Sequence, residues 1–359
     1  MPRHGGPPFE TFHRGATLTG MTDEVLAGRV TLAAVATEAQ VSLSTVSKVL
    51  NGRTDVAAGT RDRVEALLVR HGYRRRKSPT ASAPLIEIVF HELESIWAME
   101  LIRGVEDVAR ENGASVVLTE SGTRHSPGPE WIEGVLARRP LGVVLVFSTL
   151  PSAVKEQLRS RAIPFAVIDP AGDPEPDVPS VGSANWQGGL MATRHLIELG
   201  HRRIGVITGP EDMMCSLARL DGYRSALGTA GIAADADLVR FGDFHPQGGT
   251  DRADELLSLP EPPTAIFAGS DLQALGVLEA ARRHGLRVPE DLSIVGYDDV
   301  PVARWSSPAL TTVHQPLQAM GQAAARLVLK ARDGDVTNTR MDLATSLVVR
   351  GSTGRPAAG

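Results

Sequence analysis

Beyond residue 84 the sequence alternates two kinds of segment, and this alternation restricts the fold more than any other feature of the chain. Short apolar runs occur at Leu85 to Phe90, Val116 to Leu118, Val143 to Phe147, Phe165 to Ile168, Ile204 to Ile207, Ala265 to Ala268 and Ser293 to Val295, separated by amphipathic stretches at helical spacing. Uninterrupted apolar strands joined through helices mark parallel sheets covered on both faces. There are too many units for one compact sheet of usual size, so two α/β lobes are expected. In open sheets of this kind ligands sit at the carboxyl ends of the strands, which directs attention to the loops just after these runs.

The segment before them follows a different pattern. Residues 1–29 are rich in Gly, Pro and Thr without periodicity and read as a disordered tail, with Met21 an alternative start. From Val30, Leu32, Val35, Ala36 and Ala39 fall at helical spacing, Gln40 and Val41 break it, and Val46, Val49 and Leu50 resume it. Ser42 is placed to cap the second helix, and a third is expected from about Thr60 to His71. Two helices about a tight turn make a helix-turn-helix, whose second helix would present Leu43, Ser44, Ser47, Lys48 and Asn51 on its polar face. Lys48 can donate to guanine, Ser44 to several base edges, and Leu43 can pack on a thymine methyl. Hydroxyls of Thr31, Ser42, Ser47 and Thr60 would hold phosphates and set register.

Charge divides at the same place. The whole chain carries −5, but residues 1–84 hold 12 Lys and Arg against 7 Asp and Glu, leaving 25 against 35 for the remainder. A basic piece suited to a polyanion is joined to an acidic one that need not approach phosphate. The join, Arg74-Arg75-Arg76-Lys77 followed by a Pro, Ser and Ala-rich stretch to Pro84, reads as a linker. The lone Cys215 excludes an intramolecular disulfide, no apolar run is long enough for a membrane span, and nothing resembles a secretory segment. A reducing cytoplasm is the expected location.

The residues from Val30 to Asn51, followed by Val56 and by Thr60 to Ala66, closely resemble the headpiece of the lactose-repressor (LacI) family of bacterial transcription regulators. The resemblance continues through Leu199 to Pro210, Arg219 to Tyr223, Gly242 to Phe244, Pro263 to Phe267, Leu286 to Asp298 and Pro308 to Pro316. It implies that Leu43, Ser44 and Lys48 read bases of a pseudo-palindromic operator, bound by a homodimer. Two departures stand out. Gln40 occupies a turn where relatives have Gly or Asn, which is tolerable if the turn stays out of the left-handed region. In the linker, Arg75, Pro79 and Ser82 stand where relatives carry Pro, Ala and a wedging Leu. Pro79 disfavours a helix there, so Arg74, Arg75, Arg76 and Lys77 are expected to follow a narrow minor groove as an extended basic arm.

Aromatic residues are few, so their positions carry information. Trp97, Trp186, Trp305 and Phe244 fall in expected loops or helix starts, as a sugar-binding cleft would require. Arg219, Asp271 and Asp298 follow strands and would converge at the mouth of one lobe. The family resemblance gives Arg219 and Asp298 the effector-binding roles, places Asp271 in the cleft, makes Phe244 its aromatic platform, and puts Gln315 at the crossover between lobes. Ser270 stands where many relatives have Asn. From the other lobe His91, Glu92, Trp97 and Asn185 are further candidates.

An enzyme is the competing class. The chain has no phosphate-binding Gly-Lys loop, no Gly-x-Gly-x-x-Gly turn, no zinc motif after His91-Glu92 and no Gly-x-Ser-x-Gly elbow. A periplasmic sugar-binding protein would share the two-lobe core but not the headpiece. The expected architecture is an all-α helix-turn-helix headpiece (30–73), a basic linker (74–84) and a two-lobe α/β core with parallel sheets like those of periplasmic binding proteins (85–359). One lobe is expected from 85–199 with 315–344, the other from 200–314 with 345–359. The expected function is a DNA-binding regulator, a repressor, controlled by a small sugar or oligosaccharide between the lobes, without cofactor or metal.

Overall fold

The computed structural model describes residues 31–50, 56–71, 84–93, 95–122, 126–147, 149–170, 172, 178–335 and 340–357. Asn51, the basic run Arg74 to Lys77, Pro79, Ser82 and the N-terminal tail lie outside the described residues. The chain divides into two compact units, Met1–Ala81 and Ser82–Gly359.

The first unit contains three helices, α1 (Leu32–Glu38), α2 (Leu43–Leu50) and α3 (Ala58–Arg70). Each of the first two starts where a hydroxyl satisfies an otherwise unpaired backbone donor. Thr31 Oγ1 accepts from Ala34 N at 3.3 Å and Ser42 Oγ accepts from Thr45 N at 3.2 Å. Helix α1 ends with Val41 N donating to Ala36 O at 3.0 Å, the six-to-one bond of a Schellman cap. That cap requires a left-handed residue, and Gln40 supplies it at φ +53°, so the turn enters the region that the sequence reading excluded for a side chain. Val35, Ala36, Ala39, Val46, Val49, Val64, Leu67 and Leu68 form the core of this small unit.

The second unit opens with β1 (Leu85–Phe90), α4 (Ile96–Glu111), β2 (Ser115–Glu120), α5 (Pro129–Arg138), β3 (Gly142–Val146), α6 (Ser152–Ser160), β4 (Phe165–Ile168) and β5 (Ser180–Ser183). It continues through α7 (Asn185–Glu198), β6 (Ile204–Thr208), α8 (Met214–Thr229), β7 (Val239–Phe241), α9 (Pro246–Leu257), β8 (Ala265–Ala268) and α10 (Asp271–Arg283). The last elements are β9 (Ser293–Asp298), α11 (Val302–Trp305), β10 (Thr311–His314), α12 (Leu317–Arg332), β11 (Arg340–Leu343) and β12 (Ser346–Val348).

These strands form two sheets, ordered β11-β5-β4-β3-β1-β2 and β12-β10-β9-β8-β6-β7. All pairs are parallel except β10 with β12. Each sheet is covered on both faces, which explains its uninterrupted apolar strands. The first is packed by α4 and α12 on one face and by α5 and α6 on the other. The second is packed by α7 and α8 on one face and by α9 and α10 on the other. Helix α7 therefore belongs to the second lobe, because Ala192 and Leu196 pack with Leu220 and Tyr223 against that lobe's strands. The first crossing between lobes lies before Asn185, one helix earlier than the expected boundary after Leu199. The other two crossings precede α12 and separate β11 from β12.

Candidate functional site

In the headpiece, α2 buries Val46 and Val49 and leaves Leu43, Ser44 and Ser47 exposed, with Lys48 half-buried. Leu43 is 53% exposed, so its side chain is open to a partner. Ser42 Oγ lies 2.7 Å from Ser44 Oγ and 2.8 Å from Thr45 Oγ1, so the Ser44 hydroxyl is held at the start of the helix. Thr31 and Ser42 spend their hydroxyl oxygens as caps, and Thr60 is half-buried in the first turn of α3.

In the core the strand order of each sheet reverses once, between β1 and β3 in the first and between β6 and β8 in the second. The loops leaving adjacent strands diverge there and open a crevice at the carboxyl ends. The two crevices face each other across a cavity lined from both lobes. From the first lobe Phe90, His91, Glu92, Trp97 and Phe147 line it, and from the second Met213, Cys215, Arg219, Phe244, His245, Ser270 and Asp298.

Arg219 is its main fixed cation. The side chain is buried, and Nε donates to Asn185 Oδ1 at 2.8 Å and Nη1 to Gly269 O at 2.6 Å. Its guanidinium carbon lies 3.7 Å from the centre of the Tyr297 ring and 5.6 Å from that of Phe244. These contacts fix the plane of the fork before any ligand arrives. Asp298 is equally buried, yet its Oδ1 has no hydrogen-bond partner. Burial pushes its carboxyl well above the usual range, against the attraction of Arg219 and with help from Asp271 and Asp169. An unpaired buried carboxyl oxygen is costly and rare, and Asp298 is one of the residues that line the cavity.

A series of contacts surrounds the cavity. Phe244 is followed by His245, whose Nε2 lies 2.8 Å from Glu92 Oε1, and the same oxygen lies 3.3 Å from His91 Nε2. The His91 ring meets Phe147 edge-on at 6.3 Å, and Phe147 stacks on Trp97 at 4.8 Å with 13° between planes. Trp97 Nε1 donates to Gln315 Oε1 at 3.4 Å, and Gln315 Nε2 donates to Asp169 Oδ2 at 3.2 Å and Ser183 Oγ at 2.9 Å. Burial raises the Asp169 carboxyl to about 6, opposed by the charge of Arg219. Phe147, Asp169, Phe244 and Asp298 all adopt positive φ, at 52°, 44°, 69° and 106°. Each such non-glycine residue costs about 1–3 kcal/mol, and half of those among the described residues gather at this one site.

The structure sorts the sequence candidates by their surroundings. Arg219, Asp298, Phe244, Trp97, His91 and Glu92 line the cavity. Asn185 and Gln315 stand behind it, Asn185 orienting Arg219 and Gln315 holding Trp97. Asp271 is withdrawn from it: fully buried, it accepts from Thr312 Oγ1 at 2.6 Å and from Val300 N at 2.9 Å, and so braces β10 against the end of β9. Trp186 and Trp305 lie elsewhere on the surface, so among the tryptophans read as cleft residues only Trp97 lines this cavity. Ser270 lines it but is also occupied, donating to Phe244 O at 3.1 Å and accepting from Gln273 N. Sequence reasoning missed Phe147, Asp169 and His245. The first two directly follow β3 and β4, where the rule that found Asp298 also applies.

Residues 31–76 match the bacterial regulatory proteins of the lacI family, and residues 193–353 match a periplasmic binding protein-like domain. The repressor CytR of Escherichia coli (strain K12) is 35% identical over 335 residues, covering 90% of this chain and 96% of its own. This chain belongs to the lacI family of bacterial regulatory proteins. The regulator CelR of Thermobifida fusca is 37% identical over 338 residues, 90% of this chain and 98% of that one. A CelR–cellobiose complex superimposes with a TM-score of 0.68 over 90% of this chain and all of the other, at 35% identity. The lac repressor dimer bound to operator and the anti-inducer ONPF gives 0.66 over 90% and 99% of the two chains, at 28% identity. The family membership makes this chain a DNA-binding transcriptional regulator with a helix-turn-helix headpiece and a two-lobe effector core.

Proposed function

We propose that the chain is a homodimeric repressor whose operator affinity is set by a neutral sugar bound between the core lobes. The observation that carries the sugar site is the unpaired Oδ1 of Asp298 beside the prepositioned Arg219, with Phe244 and the stacked Trp97–Phe147 pair on the same cavity. A sugar ring offers hydroxyl donors to the carboxylate, hydroxyl acceptors to the guanidinium and a flat C–H face to the aromatics. Arg219 shares the cavity with the carboxyls of Asp298 and Glu92, which suits a neutral ligand better than a phosphorylated one. The CelR–cellobiose likeness supports the same class.

The role is binding rather than catalysis, since Asp298 and Asp299 face different partners. Asp299 is paired with Arg350 at 2.5 Å and His314 at 3.2 Å. Among the described residues no helix is long and apolar enough to cross a membrane, which fits action on operator DNA in the cytoplasm. Leu43, Ser44 and Lys48 would read bases, and Arg74 to Lys77 would add backbone contacts in the linker.

Asp298→Ala should lower affinity for cellobiose, used as the probe, by about 100-fold, in line with loss of a buried hydrogen bond that leaves its partner unsatisfied. Operator binding in a gel-shift assay should be unchanged; an effector response that survives the substitution would sink the assignment. Replacing Arg74, Arg75, Arg76 and Lys77 together by Ala should weaken operator binding and flatten its dependence on salt, whereas an unaltered salt slope would remove the linker from the interface.

A further inference from the structure

We propose that Glu92 and His245 form a length gauge at the outer end of the effector cleft, admitting sugars that end inside the pair and rejecting those extended by a further ring. The inference rests on the sugar reading above but concerns a different pair of side chains.

The series of contacts around the cavity passes from one lobe to the other at two places. At the inner one, Gln315 and Asp169 stand close to Arg219, and Gln315 lies on a segment where the chain itself crosses between lobes. That side is covalently tethered and cannot gape. The outer one is the contact of Glu92, just after β1, with His245, just before α9. No chain crossing lies beside it, and both side chains are about one-third exposed, at 32% and 35%. Glu92 Oε1 is shared between His245 and His91, so the bridge is braced from the first lobe and reaches the second at a single atom.

A ring seated against Asp298 and Arg219 is held at the inner end by the guanidinium and the carboxyl and at its faces by Trp97 and Phe244. An extension of that ring toward the more exposed rim of the cavity meets the Glu92–His245 bridge. A ligand that stops short of the bridge leaves it closed, with the lobes joined over the sugar. A longer ligand must part it, losing the charge-assisted contact and the lobe closure that depends on it. Discrimination by length therefore comes from a repulsive element, an obstacle that the correct ligand never meets.

The test is titration calorimetry on the full-length protein with glucose, cellobiose, cellotriose and cellotetraose. The wild-type chain should show a fall in affinity of at least about tenfold when one particular ring is added. Glu92→Ala should lift that fall, read as the ratio of affinities across that ring. Glu92→Gln, which retains an acceptor for His245, should restore it. An equal fall in wild type and Glu92→Ala would overturn the gauge, as would a parallel loss for every length in Glu92→Ala, which would mark Glu92 as an ordinary sugar ligand. Binding of none of the four sugars by the wild-type chain would overturn the sugar reading itself and the gauge with it.

Discussion

Phe244 shows how much of this site depends on single backbone positions. Its ring is held at φ +69° directly over Gly209, where an added Cβ would come within 1.9 Å of Phe244 Cζ. Gly209 therefore matters for the space it leaves, since its own φ is unremarkable. Gly209→Ala should displace the ring and reduce sugar affinity by about tenfold, as expected for loss of one aromatic contact. Calorimetry would show it, and an unchanged affinity would mean that Phe244 is not a platform. Asp271 carries the opposite lesson. It has the residue type and strand-end position of a ligand contact, yet both its oxygens are used by Thr312 and Val300. Sequence position locates the end of a strand, but only the neighbouring backbone decides whether a carboxylate there faces the cleft or the core.

Among the elements, those with apolar period or cap chemistry were legible in the sequence. Strands β1, β4 and β8 match their apolar runs residue for residue, and α2 begins after the Ser42 cap. The missed strands lack that signal. Strand β5 is Ser-Val-Gly-Ser and β10 is Thr-Thr-Val-His, each with one large apolar residue, and β7, β11 and β12 are short edge strands. Helix α7 was misplaced because amphipathic spacing says which face is buried but not against which sheet. Its partner is recorded in glycines instead. An added Cβ at Gly189 would meet Arg219 O at 2.1 Å, and one at Gly222 would meet Trp186 O at 2.1 Å and Leu190 N at 2.6 Å. Helices α7 and α8 thus cross backbone to backbone, which places Asn185 within reach of Arg219. Gly222→Ala has no flexible side chain to push aside and should cost about 1–3 kcal/mol, measured as a lower denaturant midpoint for the core. It should also weaken sugar binding by misplacing the Arg219 fork. Full stability would mean that the helices can separate freely.

On the scale of the whole molecule, two buried acids, Asp169 and Asp298, share the interior with Arg219, and a third, Asp271, lies near Asp298. Burial raises Asp169 to about 6, Asp271 to about 7 and Asp298 well above the ordinary range. The folded chain therefore holds protons that the unfolded chain has already released, and stability falls as pH rises from the ordinary carboxylate range through these folded values. His195 and His201 act in the opposite sense, because burial lowers them and stability is lost as pH falls below the ordinary histidine range. Between pH 6.5 and 8 Asp271, raised to about 7, is still losing its proton in the folded chain, so the core should melt at a lower temperature at pH 8 than at pH 6.5. Asp271→Asn should flatten that limb; a slope of the opposite sign would mean that Asp271 is ionised in the folded chain. The three crossings between lobes have a consequence for the order in which the protein is made. Helix α12 covers one face of the first sheet, and β11 and β12 close the far edges of the two sheets. Neither lobe can be sealed until the residues beyond Leu317 have left the ribosome, whereas the headpiece, with a core of its own, has long been free to fold. A nascent chain therefore carries a DNA-reading surface before it has any means of sensing an effector.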